Sequence, residues 1–223
     1  MMIKNNASST VPNKLKGASV MSRREEIKSR TSRVAIGALL TAMATVLMYL
    51  EVPLPFMPVF LKYDFSEIPV LIGAFAFGPL TAIVIELLKN LILLTKSSTL
   101  GIGQLANFVA GVAFAGSAGL MFRYMKSRKG AIISMLFGTL VLSVTTPLMN
   151  YFVFLELYAH FMGLTTDKIV GMTQSVNRLV TDKTSLIIFA FVPFNLFKGL
   201  TISLITSGIY LPVFKAIHGK NCK

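Results

Sequence analysis

The sequence predicts an all-α integral membrane protein with six transmembrane helices. Three observations lead there. Of 223 residues, 54% are hydrophobic and 14% are charged, and mean hydropathy is +0.70, whereas a soluble domain carries roughly a quarter charged residues. The apolar residues gather into stretches long enough to cross a bilayer. The basic residues fall in clusters between and beyond those stretches. A soluble enzyme, a disordered chain and a collagen-like chain are thereby excluded. A net charge of +13 would ordinarily raise nucleic acid as a partner. The distribution argues otherwise, because of 22 Lys and Arg, eight lie in residues 1–33, four in residues 123–129 and three after Phe214. They form no continuous basic face and bracket apolar spans, as at the cytoplasmic side of a membrane protein.

Residues 1–32 read as a polar cytoplasmic tail whose Asn/Ser/Lys-rich beginning is expected to be disordered. Residues 34–50 form the first crossing; no small-x-small cleavage site comes after it, so a signal peptide is not the reading. The proline-rich loop of residues 53–69 comes next, carrying aromatic residues that suit both an interfacial anchor and a lid over an outward-facing pocket. Apolar stretches then run over about residues 69–94, 105–122, 131–154 and 186–213, each enough for one crossing of about 20 residues.

Counting each stretch once gives five crossings, which would put the basic clusters at 123–129 and at the C-terminus opposite the N-terminus. A break at Phe77-Gly78-Pro79 returns all three clusters to one side, and Pro interrupts a helix because it lacks the N–H and clashes with the preceding turn. The expectation is therefore a six-helix domain over residues 33–216 and a short basic tail, 217–223, with both termini cytoplasmic in a multi-pass plasma-membrane protein. The second helix, about residues 66–77, is too short to cross alone. Such segments survive where they are buried in protein or line a cavity, and they sit at substrate sites.

Polar groups within spans are costly and mark function by default. Glu86, Lys89 and Asn90 share one helical face at i, i+3 and i+4, although Glu86 and Lys89 can equally neutralise each other. Asn195 and Lys198 lie one turn apart in Pro193-Phe-Asn-Leu-Phe-Lys-Gly199. Gln104, Asn107 and Asn150 add amides. One Asn can simply bridge helices, but Asn107, Asn150 and Asn195 together exceed that need. Amides donate and accept without charge, which suits a neutral ligand rich in carbonyls, ring nitrogens and hydroxyls. Ala38-x-x-x-Ala42, with Ala35 a turn earlier, makes a small-residue stripe that permits close approach of another helix.

Chemistry is poorly supplied. The sole cysteine is Cys222 and the two histidines, His160 and His218, have no motif around them, so neither a disulfide framework nor a metal centre is predicted. No G-x-x-x-x-G-K-[ST], G-x-S-x-G or H-E-x-x-H occurs. The chain reads as neither an enzyme nor an ATPase.

Several short motifs, in order through residues 33–215, carry a resemblance. They are the Ala38/Ala42 stripe, Phe60-Leu-Lys-Tyr-Asp-Phe-Ser-Glu-Ile-Pro69, Phe77-Gly-Pro-Leu80, Glu86-Leu-Leu-Lys-Asn90, Ala106-Asn-Phe108, Asn150-Tyr-Phe152 and Pro193-Phe-Asn-Leu-Phe-Lys-Gly199. With them the chain resembles the riboflavin-specific S component, the substrate-binding subunit, of an energy-coupling factor (ECF) vitamin transporter. The resemblance implies a six-helix bundle holding riboflavin near its extracellular side, under the loop after the first helix. It implies partners as well: a transmembrane coupling protein and two cytoplasmic ATPases, with Ala38 and Ala42 facing the coupling protein. Carried over by position, the pocket uses Leu61, Tyr63, Asp64, Asn107, Asn150, Asn195 and Lys198, with Glu86, Lys89 and Asn90 as further candidates. Riboflavin would be cargo, and no cofactor is implied. The alternatives are an S component for another vitamin, or a self-sufficient ion-coupled transporter using Glu86 and Asp64.

Overall fold

The computed structural model describes residues 13–54 and 61–218. The chain divides into two units, residues 1–36 and residues 37–223. Of the first, the described part is the start of helix α1, Asn13–Tyr49. This helix begins well inside the segment expected to be a tail, because the run contains no proline and is rich in Lys, Arg and Glu, all good helix formers. Residues 1–12, where disorder was expected, lie outside the described residues, as do residues 219–223 of the basic C-terminal tail.

Within the second unit, α1 buries Leu40, Thr41, Ala44 and Met48, a 3–4 spacing that places one face inward. Residues 55–60 of the proline-rich loop lie outside the described residues, and the segments on either side of them pair as the two short arms of a hairpin. Strand β1, Val52–Pro53, pairs antiparallel with β2, Lys62–Tyr63, and Lys62 Nζ reaches Glu51 Oε1 at 2.6 Å. Then come α2, Glu67–Phe77, and α3, Pro79–Leu93. Gly78 separates them with φ 102° and ψ 172°, a region open essentially to glycine alone. Pro79 starts α3 at the position where its missing N–H costs nothing.

Three long rods complete the unit, each built of α-helix interrupted by one π-helical turn. The first joins α4, Ile102–Gly111, through Val112–Gly116 to α5, Ser117–Phe122. The second joins α6, Arg128–Met149, through Asn150–Phe154 to α7, Leu155–Met162. After the short α8, Thr166–Gln174, the third joins α9, Lys183–Leu186, through Ile187–Phe191 to α10, Val192–His218. Helix α8 falls in a connection for which no element was expected. It buries Ile169, Val170 and Thr173 and exposes Asp167, Lys168 and Gln174 together with Met172. α6 packs most extensively on α10, while α2 packs against α3 and α10.

Among the described residues four helices are long and apolar enough to cross a membrane: Arg30–Tyr49, Ile102–Phe122, Arg128–Met162 and Lys183–Tyr210. The other two of the expected six are shorter, α2 with 11 residues and α3 with 15. α3 shows which solvent the fold answers to. It buries Glu86, Lys89 and Asn90 and exposes Leu87, Leu88, Leu91 and Ile92. That polarity is the reverse of a water-soluble helix, and it is stable where the surroundings are hydrocarbon.

Candidate functional site

A cavity of about 670 Å³ lies inside the second unit, within the 300–1,000 Å³ usual for small-molecule sites. Its polar wall comes from several elements: Asp64 from the turn after β2, Glu67 from α2, Asn107 from α4, Asn150 from α6–α7, and Asn195 and Lys198 from α10. Leu93, Phe114, Leu142, Leu155, Phe191 and Phe194 supply apolar surface. Each π-helical turn contributes one lining residue, Phe114, Asn150 and Phe191 respectively. A π turn widens the helix and rotates the residues beyond it to a new facing, and such turns recur at functional sites.

The hydrogen bonds separate groups spent on the fold from groups left for a ligand. Lys89 is spent on the fold. Its Nζ donates to Ser66 Oγ at 2.8 Å and to Glu67 Oε1 at 2.8 Å, and it lies 2.8 Å from Glu86 Oε1 as an ion pair. Lys198 is not. Among the described residues its Nζ has one such partner, Asp64 Oδ2 at 2.8 Å, which leaves two N–H donors at the cavity wall. Asp64 is held from both sides, since its Oδ1 accepts from the Ser66 N–H at 2.9 Å. Burial raises the Asp64 carboxyl, but the ammonium groups of Lys198 and Lys89 and the hydrogen bonds from Lys198 and Ser66 outweigh it and hold the group well below the ordinary carboxylate range. Its stabilising contribution is therefore fully present above the unfolded value of about 3.9 and is lost only as pH falls through the folded value.

The amides are half-committed. Asn150 Nδ2 donates to Thr146 O at 2.9 Å, and Asn195 Nδ2 donates to Phe191 O at 2.8 Å, each reaching back one turn. Those bonds fix the side chain and leave one N–H and the carbonyl oxygen of each amide. Asn107 Oδ1, Thr146 Oγ1 and Glu67 Oε2 are buried with no hydrogen-bond partner among the described residues, and all three residues line the cavity. A buried unpaired polar atom costs about 1–3 kcal/mol, and three residues of this wall carry one.

The predicted residues thus separate into two groups. Leu61, Asp64, Asn107, Asn150, Asn195 and Lys198 come together at the cavity. Tyr63, Glu86, Lys89 and Asn90 are not among its lining residues. Tyr63 shares a 2.5 Å hydrogen bond with Thr201 and packs its ring against Phe65 and Phe197, pinning the hairpin to α10. Asn90 Nδ2 donates to Glu86 O at 2.9 Å. Glu67 and Thr146 were not anticipated. On α1, Ala38 and Ala42 are exposed, on a different face from Leu40, Thr41, Ala44 and Met48.

The family model described as "ECF transporter, substrate-specific component" matches residues 32–210. The chain belongs to that family. It is 31% identical over 188 residues to the riboflavin transporter RibU of Staphylococcus aureus (strain TCH60), covering 84% of this chain and 93% of that protein. It is also 31% identical over 185 residues to the riboflavin transporter FmnP of Bacillus subtilis (strain 168), covering 82% and 92%. A solved structure of the S component of a bacterial ECF transporter superposes with a TM-score of 0.67 at 30% identity, over 84% of this chain and 98% of that one. These are transport components and not enzymes.

In this S component the buried charges set the packing of neighbouring helices. Gly111 faces Glu86 so closely that an added Cβ would fall on the carboxylate. Gly111→Ala is expected to cost about 1–3 kcal/mol through overpacking, read as a lower thermal midpoint of the detergent-purified protein. An unchanged midpoint would place Glu86 elsewhere.

Proposed function

We propose that this S component captures riboflavin in the cavity and delivers it as the substrate-binding subunit of an ATP-driven ECF transporter. The single observation that carries the reading is the donor set at the cavity. Three asparagines with uncommitted amide groups and a lysine with two free donors surround a space with an aromatic and aliphatic lining. A flavin's pyrimidine-like edge presents carbonyls and one N–H that an amide can pair, its ribityl hydroxyls suit amide and ammonium groups, and its benzenoid end needs apolar neighbours. The names of the two bacterial relatives point to the same vitamin. Riboflavin is cargo here, and nothing in the cavity wall would transform it.

Six crossings result from adding α2 and α3, joined at Gly78, to the four long helices. The basic clusters then share the cytoplasmic side of the cell membrane with both termini, and the cavity opens outward beneath the hairpin. A chain without a phosphate-cradling loop needs its energy from elsewhere, and a coupling protein with two ATPases supplies it. The ion-coupled alternative draws no support from Asp64, whose carboxylate is hydrogen-bonded to Lys198.

Detergent-purified protein should quench riboflavin fluorescence on titration; no quenching after removal of bound ligand would sink the assignment. Asn195→Ala should weaken that binding by about 1–3 kcal/mol, roughly 5- to 150-fold. Ala38→Trp, on the exposed face of α1, should leave riboflavin binding intact and abolish uptake in membranes that contain the coupling module. Normal uptake would remove this face from the docking surface.

A further inference from the structure

The charged end of the cavity holds a carboxylate that the fold does not fully use. Glu67 is 2% exposed and sits at the first position of α2. One of its oxygens is fixed, with Oε1 2.8 Å from Lys89 Nζ. The other, Oε2, is buried without a hydrogen-bond partner among the described residues, and Glu67 lines the cavity. Among the described residues the hydrogen bonds of Lys89 go to Ser66 Oγ and Glu67 Oε1, so Oε2 receives none from it. Lys198 bonds to Asp64 instead.

A half-satisfied buried carboxylate is expensive, since charged groups taken from water need their lone pairs filled. Its geometry is also unusually well fixed. The Lys89 contact locks one oxygen, and the side chain has no freedom to swing toward water. An acceptor so held, in a cavity that Lys198 and Asn195 also line, complements a ligand that carries N–H or O–H groups as well as carbonyls.

We infer that Glu67 is a cargo-contacting residue: its Oε2 accepts a hydrogen bond from an N–H or O–H group of the bound molecule, while Lys89 acts as the positioning residue that aims it. The inference rests on riboflavin as cargo. Riboflavin offers two kinds of donor to such an acceptor, the ring N–H and the ribityl hydroxyls. Glu67 therefore contributes to specificity, since a ligand lacking the relevant donor leaves a buried carboxylate unmatched.

The test compares wild type, Glu67→Gln and Asn195→Ala by fluorescence titration with three flavins: riboflavin, lumiflavin, which lacks the hydroxylated chain, and 3-methylriboflavin, which lacks the ring N–H. Glu67→Gln keeps the size of the side chain and the bond to Lys89 while replacing the unpartnered oxygen with an amide donor. It should bind riboflavin at least tenfold more weakly than wild type while remaining monodisperse. For one of the two analogues that penalty should vanish, identifying the donor that Glu67 reads. An equal penalty for all three flavins would show that Glu67 acts through the fold, and an unchanged riboflavin affinity would show that it makes no contact; either overturns the inference. If wild type binds none of the flavins, riboflavin as cargo fails first. If wild type binds and Asn195→Ala is impaired while Glu67→Gln is not, the cargo stands and Glu67 alone is withdrawn.

Discussion

Lys89→Met is expected to abolish folded, monodisperse protein in detergent. The side chain is completely buried and lies 2.8 Å from both Glu67 and Glu86. Removing one partner of a buried ion pair typically costs about 3–5 kcal/mol, because the other charge stays behind uncompensated. Here two carboxylates would be stranded rather than one. Whole domains are stable by only about 5–15 kcal/mol, so the loss takes most of the margin. The remedy distinguishes charge from shape. Adding Glu67→Gln and Glu86→Gln to Lys89→Met should recover a monodisperse peak in size-exclusion chromatography, since well-packed neutral side chains replace buried ion pairs at little cost. A stable Lys89→Met single variant would contradict the three-way contact.

Lys198→Met should damage two properties that can be pulled apart. Stability should fall by about 3–5 kcal/mol, because among the described residues Asp64 would retain only the Ser66 N–H as a hydrogen-bond partner. Riboflavin affinity should also fall, by about 1.5–3 kcal/mol for one lost hydrogen bond from a charged donor. In the Asp64→Asn, Lys198→Met double variant the thermal midpoint should return toward wild type while riboflavin binding stays weak. Recovery of both would make Lys198 a purely structural residue. Recovery of neither would mean that the pair shapes the cavity in a way that no neutral substitute reproduces.

Those two lysines also show how far the sequence could be read. Asn107, Asn150, Asn195 and Lys198 were legible because an amide or ammonium inside an apolar helix is conspicuous and needs no knowledge of its neighbours. Gly78-Pro79 was legible for the same local reason. Lys89 was legible only in part: its pairing with Glu86 is an i, i+3 relation, but its bonds to Ser66 and Glu67 span 23 and 22 residues and depend on how α2 packs on α3. Glu67 itself looked like an ordinary acid in the first turn of a helix, where it complements the helix dipole, so nothing flagged its second oxygen. Tyr63 went the other way. As an aromatic in a loop above a pocket it resembled a lid residue, yet its hydroxyl pairs with Thr201, 138 residues further on. The three π-helical turns were invisible, because no residue preference separates a π turn from the α-helix around it.

The ion pairing also limits what an electric field can do to this protein. Asp64 and Lys198, 2.8 Å apart, move together as a neutral unit. Lys89 cancels one of its two glutamates. Formally one negative charge remains among these five side chains. Carrying a whole unit charge across a full membrane yields about 2.3 kcal/mol per 100 mV, and a group packed inside a bundle traverses only a fraction of that distance. Riboflavin itself is uncharged. Voltage therefore has little grip on this cluster of five side chains.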